Sequence, residues 1–278
     1  MSSTAVENVY TRKAAKELTQ KHFGVLAGLL LIATVLPAAV DVILMGILSL
    51  TNNAALVSDA QSLVSLATSL LQAALMLGAY NAMLALCRGE QAISLNAVFS
   101  RMPYFAKSVG LSLLVVLKLL LWMLPGIFAI AIGPGMGSFD LAASVQTGGI
   151  MLICALIIPA ALRYAMASFI LADKPETRVF DCVKQSKAMM KGRKWQLFKL
   201  NVPNLLFFLV IFLVVMVALG SVYRLLGVNV QSYGARTVTM LTASVASIYY
   251  LVRINLCCIL FYHKRTEEAA FTESAQTE

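Results

Sequence analysis

The stretch Arg163-Tyr-Ala-Met-Ala-Ser-Phe-Ile-Leu-Ala-Asp-Lys-Pro175 decides the fold class of this chain. It connects the end of a long apolar run with a short basic amphipathic segment. The following Met189-Met-Lys-Gly-Arg-Lys-Trp-Gln-Leu-Phe198 then leads directly into another apolar run. This order is typical of a membrane helix that enters a charged compartment, continues along the surface and re-enters the bilayer. The pattern indicates where the protein lies and which way it faces, and it does not indicate a chemical reaction.

The composition of the whole chain fits the same class. Of 278 residues, 60% are hydrophobic and only 13% are charged, and the mean hydropathy is +0.82. Soluble domains carry about 25% charged residues. The net charge of +9 fits the cytoplasmic loops of a membrane protein, so we expect no nucleic-acid partner. The five cysteines form no Cys-x-x-Cys pair and are expected to be reduced.

Six apolar runs are long enough for a bilayer, which needs about 20 helical residues. Because open strands cannot satisfy their backbone groups in lipid, we predict helices. The expected fold is all-α, a polytopic membrane helical bundle that forms a single domain over residues 1–278 and ends in a polar tail, 263–278. Its six transmembrane helices are predicted at about 24–50, 63–87, 105–125, 149–172, 196–220 and 237–262.

The Lys and Arg residues in the connections and at the ends of the spans are distributed unevenly. Seventeen lie in the N-terminal segment, in the stretches 88–107 and 173–199, and in the C-terminal tail, whereas only two lie in the other connections. Basic residues concentrate on the cytoplasmic side of membrane proteins. We therefore expect a multi-pass protein of the cell membrane with both termini in the cytoplasm.

The connection 126–148 contains Gly133-Pro-Gly-Met-Gly137 and carries no Lys or Arg. One interpretation is a re-entrant or pore-lining segment, because irregular backbone at membrane depth must line protein or water. The other is a flexible outer loop that follows a helix ended by Pro125. Both interpretations are open from the sequence.

Three polar segments, 6–21, 91–102 and 176–191, are predicted to be short interfacial amphipathic helices on the cytoplasmic side, each followed by two spans. This plan is either a parallel repeat or the architecture of any array of helical hairpins. Apolar residues recur at helical spacing in the second segment, at Leu95, Val98, Phe99 and Met102. The anionic inner-leaflet lipids of the bilayer are the expected partners of basic and aromatic residues around the third: Lys184, Lys187, Lys191, Arg193, Lys194 and Trp195.

Four ionisable residues, Asp41, Lys118, Arg163 and Arg253, lie within the predicted spans and away from their cytoplasmic ends. Charges inside a membrane are costly and face protein or water. At 1.5 Å per residue, the three cations fall about 13–18 Å from the inner ends of their spans. We treat them as candidate ligands for a lipid phosphate or small acidic solute in a mid-membrane cavity. Alternatively, each cation reaches an interface or bonds the backbone carbonyls of a neighbouring helix.

The sequence shows no signature of an enzyme. Its only histidines, His22 and His263, flank predicted spans, and no Walker motif, nucleophile elbow or His-Glu-x-x-His is present. We expect no enzyme activity, no cofactor and no metal. Two function classes stay open: a protein that binds or moves a lipid or small anionic solute, and a non-transporting scaffold or accessory subunit of a membrane complex. A protein partner or homo-oligomer is also left open.

Residues 157–198 carry a specific series of short motifs in a fixed order. They include Ile157-Ile-Pro-Ala160, Phe169-Ile-Leu-Ala-Asp-Lys-Pro175 and Met190-Lys-Gly-Arg-Lys-Trp-Gln-Leu-Phe198. This series resembles a family of uncharacterised multi-pass bacterial integral membrane proteins, a domain of unknown function. The chain departs from that pattern at Ala160, where the family usually has Gly. The resemblance implies an integral membrane protein and supplies no catalytic residues.

Overall fold

The structure is a computed structural model that describes residues 3–49, 54–90, 93–132, 139–227 and 233–277. Within these ranges it is all-helical, without strands, which confirms the predicted fold class at that level. Two short 3-10 helices, Leu95–Phe99 and Met102–Tyr104, accompany the α-helices. The α-helices are α1 (Ser3–Ser49), α2 (Ala54–Cys87), α3 (Phe105–Ile132), α4 (Phe139–Tyr164), α5 (Ala167–Asp173), α6 (Val179–Met189), α7 (Lys194–Leu225), α8 (Tyr233–Ala246) and α9 (Ile248–Thr277).

Several helices are long and apolar enough to cross a membrane. Five candidate spans have no bend of more than 40°: Val6–Leu48, Ala60–Cys87, Leu95–Ile132, Ala143–Asp173 and Lys194–Leu225. The described residues therefore contain five candidate spans, or six if the bent pair described next crosses as one.

The sixth predicted span, 237–262, consists of two helices that are bent by 64° where α8 meets α9. The break falls at the buried Ser247. The hydroxyl of Ser247 donates a hydrogen bond to the carbonyl of Ala243 at 2.7 Å. Hydrogen bonds of this kind, from a serine to the carbonyl four residues earlier, often bend helices. A serine does not interrupt an apolar run, so hydropathy alone predicts one continuous span.

Most of the predicted outer loop, 126–148, is helical, so the expectation that a helix ends at Pro125 is wrong. Helix α3 continues through Pro125 to Ile132, and α4 begins at Phe139. Apolar residues on both sides extend the helices, and proline is tolerated in membrane helices. The glycine-rich centre of the loop, 133–138, lies outside the described residues. The re-entrant interpretation concerns this centre and stays a prediction.

A close approach of α3 and α4 explains two of the glycines near that connection. A Cβ atom at Gly126 would lie 2.7 Å from the carbonyl oxygen of Gly149, and one at Gly149 would lie 2.9 Å from the carbonyl oxygen of Gly126. Neither distance can accommodate a side chain, so both positions require glycine for this helix contact. Small residues serve the same purpose at many membrane helix interfaces.

The segment 91–102 is not the predicted amphipathic α-helix. Its described part forms 3-10 turns, in which Val98 is buried while Leu95, Phe99 and Met102 are exposed. Pro103 has no backbone N–H to donate and disfavours α-helical geometry in the residue before it. With three residues per turn instead of 3.6, the predicted apolar stripe does not form.

The segment 6–21 is helical, as predicted, and forms the first part of α1. His22 interrupts α1 with non-helical backbone angles, a φ of −123° and a ψ of 24°. This interruption lies directly before residue 24, where the first span was predicted to begin. The sequence therefore identified both parts of α1, and the position of the first part at a membrane surface stays a prediction.

The chain forms two compact units, one comprising Met1–Phe105 with Gln196–Glu278 and the other Ala106–Trp195. The single domain predicted over the whole chain stays a prediction. In the first unit, α1 packs against α2 and α9, and their facing surfaces form an apolar core. Its fully buried residues include Leu29, Leu30, Leu75, Ala79, Met83, Leu256 and Ile259.

An arginine from α1 donates hydrogen bonds to the backbone of α7 close to a proline within that helix. Pro203 lacks the N–H that would bond the carbonyl of Lys199, four residues earlier. Arg12 donates to that carbonyl, and its Nε also donates to the carbonyl of Leu200 at 3.0 Å. The arginine thus satisfies a helix carbonyl that the proline leaves without its usual partner.

Candidate anion-binding site

Helix α6 has one face that is buried and an opposite face that is exposed. Cys182, Val183 and Ser186 are buried, and Met190 extends this face beyond the end of the helix. The helical periodicity of the third segment predicts an apolar stripe of Val179, Val183 and Met190, and burial confirms it at Val183 and Met190, while Val179 is half-buried. Residues on the opposite side, including Lys184 and Lys187, are exposed.

Two contacts fix α6 within its unit. The hydroxyl of Ser186 donates to the backbone carbonyl of Arg163 at 3.0 Å, which joins the middle of α6 to the last turn of α4. The ammonium of Lys107 donates to the carbonyl of Pro175 at 2.7 Å and lies 3.9 Å from Glu176. The connection that precedes α6 is therefore attached to the start of α3, and the lysines of α6 are held beside Arg163.

A tight turn joins α6 to α7. Gly192 adopts a φ of +75°, a conformation that glycine reaches without the steric cost imposed by a Cβ atom. Helix α7 then begins at Lys194. The turn brings the end of α6 and the first residue of α7 to the same side of the unit.

These elements line an open basic pocket with a volume of about 490 Å³. We call it the basic pocket throughout, and its lining contains five basic side chains and no acidic one. The lining residues are Arg163, Lys184, Lys187, Ala188, Lys191, Gly192 and Lys194. The structure thus brings together one residue from the predicted mid-membrane cation set and four of the predicted surface contacts.

Helix ends add to the electrostatics of the basic pocket. Lys194 occupies the amino end of α7, where aligned peptide dipoles contribute partial positive charge. Arg163 lies in the last turn of α4, where its own charge is favourable against the negative end of that helix. Anions bind readily at sites that combine a helix amino end with basic side chains.

The other predicted surface contacts, Arg193 and Trp195, lie beside the basic pocket without lining it. Both residues are exposed, and Trp195 is 65% accessible to solvent. An exposed tryptophan next to basic residues is typical of the headgroup level of a bilayer.

The remaining intramembrane candidates have separate environments. Lys118 lies half-buried in the middle of α3 and does not line the basic pocket. Arg253 belongs to the other unit, on α9, with its guanidinium 5.8 Å from the ring centroid of Tyr249. Asp41 on α1 accepts a hydrogen bond from Thr68 on α2 at 3.4 Å. A shared layer of Lys118, Arg163 and Arg253 stays a prediction.

The sequence placed Arg163 inside a continuous span, and the candidate span Ala143–Asp173 contains it, with a local turn close after it. Helix α4 ends at Tyr164, and residues 165 and 166 form a turn before α5. Arg163 therefore lies at a helix end, close to α6. No break was predicted here, because Ala165 and Met166 continue the apolar run.

Cys182 offers a test of the packed face of α6. Burial, followed by the neighbouring negative charge of Asp181, raises the pKa of its thiol. Because a raised pKa leaves less reactive thiolate at a given pH, we expect maleimide to modify Cys182 at least about ten-fold more slowly than an exposed cysteine at pH 7.5. The measurement is mass-spectrometric labelling in a variant whose other four cysteines are replaced by alanine.

The matched control carries Cys182→Ser and Gln185→Cys, which places a cysteine on the exposed side of the same helix. The two variants should react at similar rates once the protein is denatured in dodecyl sulfate. Equal rates in the folded protein would show that the described packing of α6 is wrong.

Within the described residues, no group of three or more His, Cys, Asp or Glu side chains is arranged to hold a metal ion.

The all-helical fold and its long apolar helices define the chain as a membrane protein with several candidate spans. The chain belongs to the family described as protein of unknown function DUF975, whose family model matches residues 6–269. No curated protein and no solved structure matches it. The family resemblance found in residues 157–198 is thereby confirmed.

Proposed function

We propose that this protein is a non-enzymatic multi-pass protein of the cell membrane that binds anionic lipid headgroups in the basic pocket. Both termini and the basic pocket face the cytoplasm in this proposal. The single observation that carries it is the convergence of five basic side chains, without an acid, around one cavity.

The chain topology supports a position at the membrane surface. Helix α6 lies between the candidate spans Ala143–Asp173 and Lys194–Leu225, so both spans end near it along the chain. The stretch 173–199 also holds eight of the chain's 22 basic residues, and such enrichment favours the cytoplasmic side. Anionic lipids of the inner leaflet are the negative groups available at that depth.

Electrostatics gives the expected size of the effect. Each basic residue near an anionic membrane surface contributes about 1 kcal/mol. Removing three from one pocket therefore weakens the interaction by up to about 3 kcal/mol, or roughly 100-fold. Salt screens part of this attraction, because three of the four lysines are exposed. We therefore expect the affinity for an anionic lipid to fall by at least about ten-fold.

The test compares two triple variants of the purified full chain in neutral detergent. The first is Lys184→Gln, Lys187→Gln and Lys191→Gln in the basic pocket. The control, Lys13→Gln, Lys16→Gln and Lys21→Gln, removes the same charge from exposed positions of α1. Native mass spectrometry with added phosphatidylglycerol and with phosphatidylcholine measures the affinity of each variant for each lipid.

We expect the pocket variant to lose at least ten-fold in affinity for phosphatidylglycerol, and the control variant to lose less than two-fold. Neither should change its affinity for phosphatidylcholine. Equal losses in the two variants would contradict a specific pocket and indicate attraction by net charge alone. Unchanged affinity in both would favour the alternative class, a scaffold or accessory subunit.

A further inference from the structure

The charge of the basic pocket exceeds what one phosphate group can balance. Its lining carries five basic groups, from Arg163, Lys184, Lys187, Lys191 and Lys194, and no carboxylate. A phosphate monoester carries about two negative charges at most, and a phosphodiester carries one. A ligand with a single phosphate therefore leaves at least three of these positive charges unbalanced, and like charges around one cavity repel each other.

Acidic residues near α6 are kept on a different side of the helix. Glu176 and Asp181 line a neighbouring cavity, whose wall shares only Lys184 and Ala188 with the basic pocket. Glu176 is paired with Lys107 at 3.9 Å. In the part of the chain that the structure describes, no carboxylate lines the basic pocket.

The cations are also spread along the wall of the basic pocket. Lys184 and Lys187 lie three residues apart on one side of α6, and Lys191 lines the same wall from the turn that follows the helix. At a helical rise of 1.5 Å, Lys184 and Lys187 are about 5 Å apart along the helix axis, and Lys191 lengthens the row beyond the helix end. Ion pairs require a nitrogen and an oxygen within about 4 Å, so an extended anion satisfies this row better than a compact one.

The size of the cavity agrees with a ligand larger than one phosphate group. Its volume of about 490 Å³ falls in the range of roughly 300–1,000 Å³ that is typical of small-molecule sites. A water molecule occupies about 30 Å³ in the liquid, and a phosphate group is only a few times larger. The basic pocket has room for two phosphate groups and the atoms that join them.

We propose that the basic pocket is selective for molecules that carry at least two phosphate groups. Arg163 presents a planar fork that suits one phosphate, and the row of lysines provides charges for a second. The ligand is either a lipid with two phosphodiesters in its headgroup or a soluble molecule with linked phosphates. This inference rests on the proposed function, since it concerns the selectivity of the same site.

The experiment uses the full chain in neutral detergent with two lipid probes. Cardiolipin carries two phosphodiesters, phosphatidylglycerol carries one, and both are compared at equal phosphate concentration. We expect cardiolipin to bind at least ten-fold more tightly. In the double variant Lys187→Gln and Lys191→Gln this preference should fall below two-fold, whereas Lys13→Gln with Lys16→Gln should retain it.

Competition with soluble phosphates distinguishes the two sources of ligand. In one outcome, pyrophosphate displaces cardiolipin, whereas inorganic phosphate at equal total charge does not displace it. This outcome supports the selectivity for two phosphates and indicates that the ligand is soluble. If neither displaces it while the cardiolipin preference holds, the selectivity is supported with a lipid ligand.

Two other results would overturn the inference in different ways. Equal affinity for the two lipids at equal phosphate concentration rejects the selectivity for two phosphates but leaves the proposed lipid binding in place. Lipid affinities that do not depend on the lysines of the basic pocket reject both proposals. The two failures are therefore separable in one data set.

Discussion

A Gly78→Ala substitution is expected to destabilise the protein by about 3 kcal/mol, at the upper end of the usual cost of overpacking. Gly78 lies in α2, and a Cβ atom there would be 1.8 Å from the carbonyl oxygen of Val98 and 2.6 Å from its carbonyl carbon. Both are backbone atoms, so no side-chain rotation can relieve the clash. The 3-10 helix Leu95–Phe99 must move away from α2, which exposes the buried Val98.

The measurement is thermal unfolding in detergent, where a loss of this size corresponds to a midpoint lowered by roughly 6–12 °C. Gly24→Ala is the matched control, because a Cβ atom there meets nothing within 4 Å. Alanine favours a helix over glycine by about 0.5–1 kcal/mol, so the control should be unchanged or slightly stabilised. Identical midpoints for the two variants would refute the close approach of α2 to Val98.

An Arg265→Met substitution is expected to cost about 3 kcal/mol, the lower end for breaking a buried ion pair. The side chain of Arg265 is only 7% exposed. It donates to Glu7 at 2.9 Å, to the side chain of Gln196 at 3.1 Å, and to both carboxylate oxygens of Glu268 at 2.8 and 2.6 Å. We call these four residues the terminal network. Loss of the arginine leaves Glu7, which is 18% exposed, paired with the exposed Lys264, which lies outside the terminal network.

Two comparisons test this expectation by thermal unfolding. Arg224→Met removes an arginine from an exposed position at the end of α7, and its effect should stay within about 0.5 kcal/mol. Arg265→Lys should recover less than half of the loss, because an ammonium cannot reproduce the planar fork of the guanidinium. A lysine that restores full stability would show that charge alone, and not this geometry, matters at position 265.

The sequence predicted helices wherever a long apolar run made any other backbone structure costly in lipid. It therefore identified most of α1, α2, α3, α4 and α7, and its periodicity identified α6. It did not predict the bend at Ser247 or the turn after Tyr164, because neither interrupts the hydropathy. Such breaks depend on local hydrogen bonds and on packing, as at the Ser186 hydroxyl that bonds the carbonyl of Arg163.

The candidate site was predicted only as separate parts. The sequence singled out Arg163 for its position in an apolar run and the lysines of α6 for their basic character, and it assigned them to two different roles. Their convergence follows from the end of α4 at Tyr164 and from the turn at Gly192. Gly78 was missed as well, although an isolated glycine within an apolar helix can indicate a close backbone approach.

The terminal network also sets the order in which this unit can assemble. Glu7 and Arg265 are 258 positions apart in the chain. At a synthesis rate of roughly 5–20 residues per second, about 13–50 s separate their appearance at the ribosome. The contact that joins the first turns of α1 to α9 thus forms only after Arg265 has been synthesised. Translation products that end before Arg265 lack this contact, so the start of α1 in them is not tied to α9 by the terminal network.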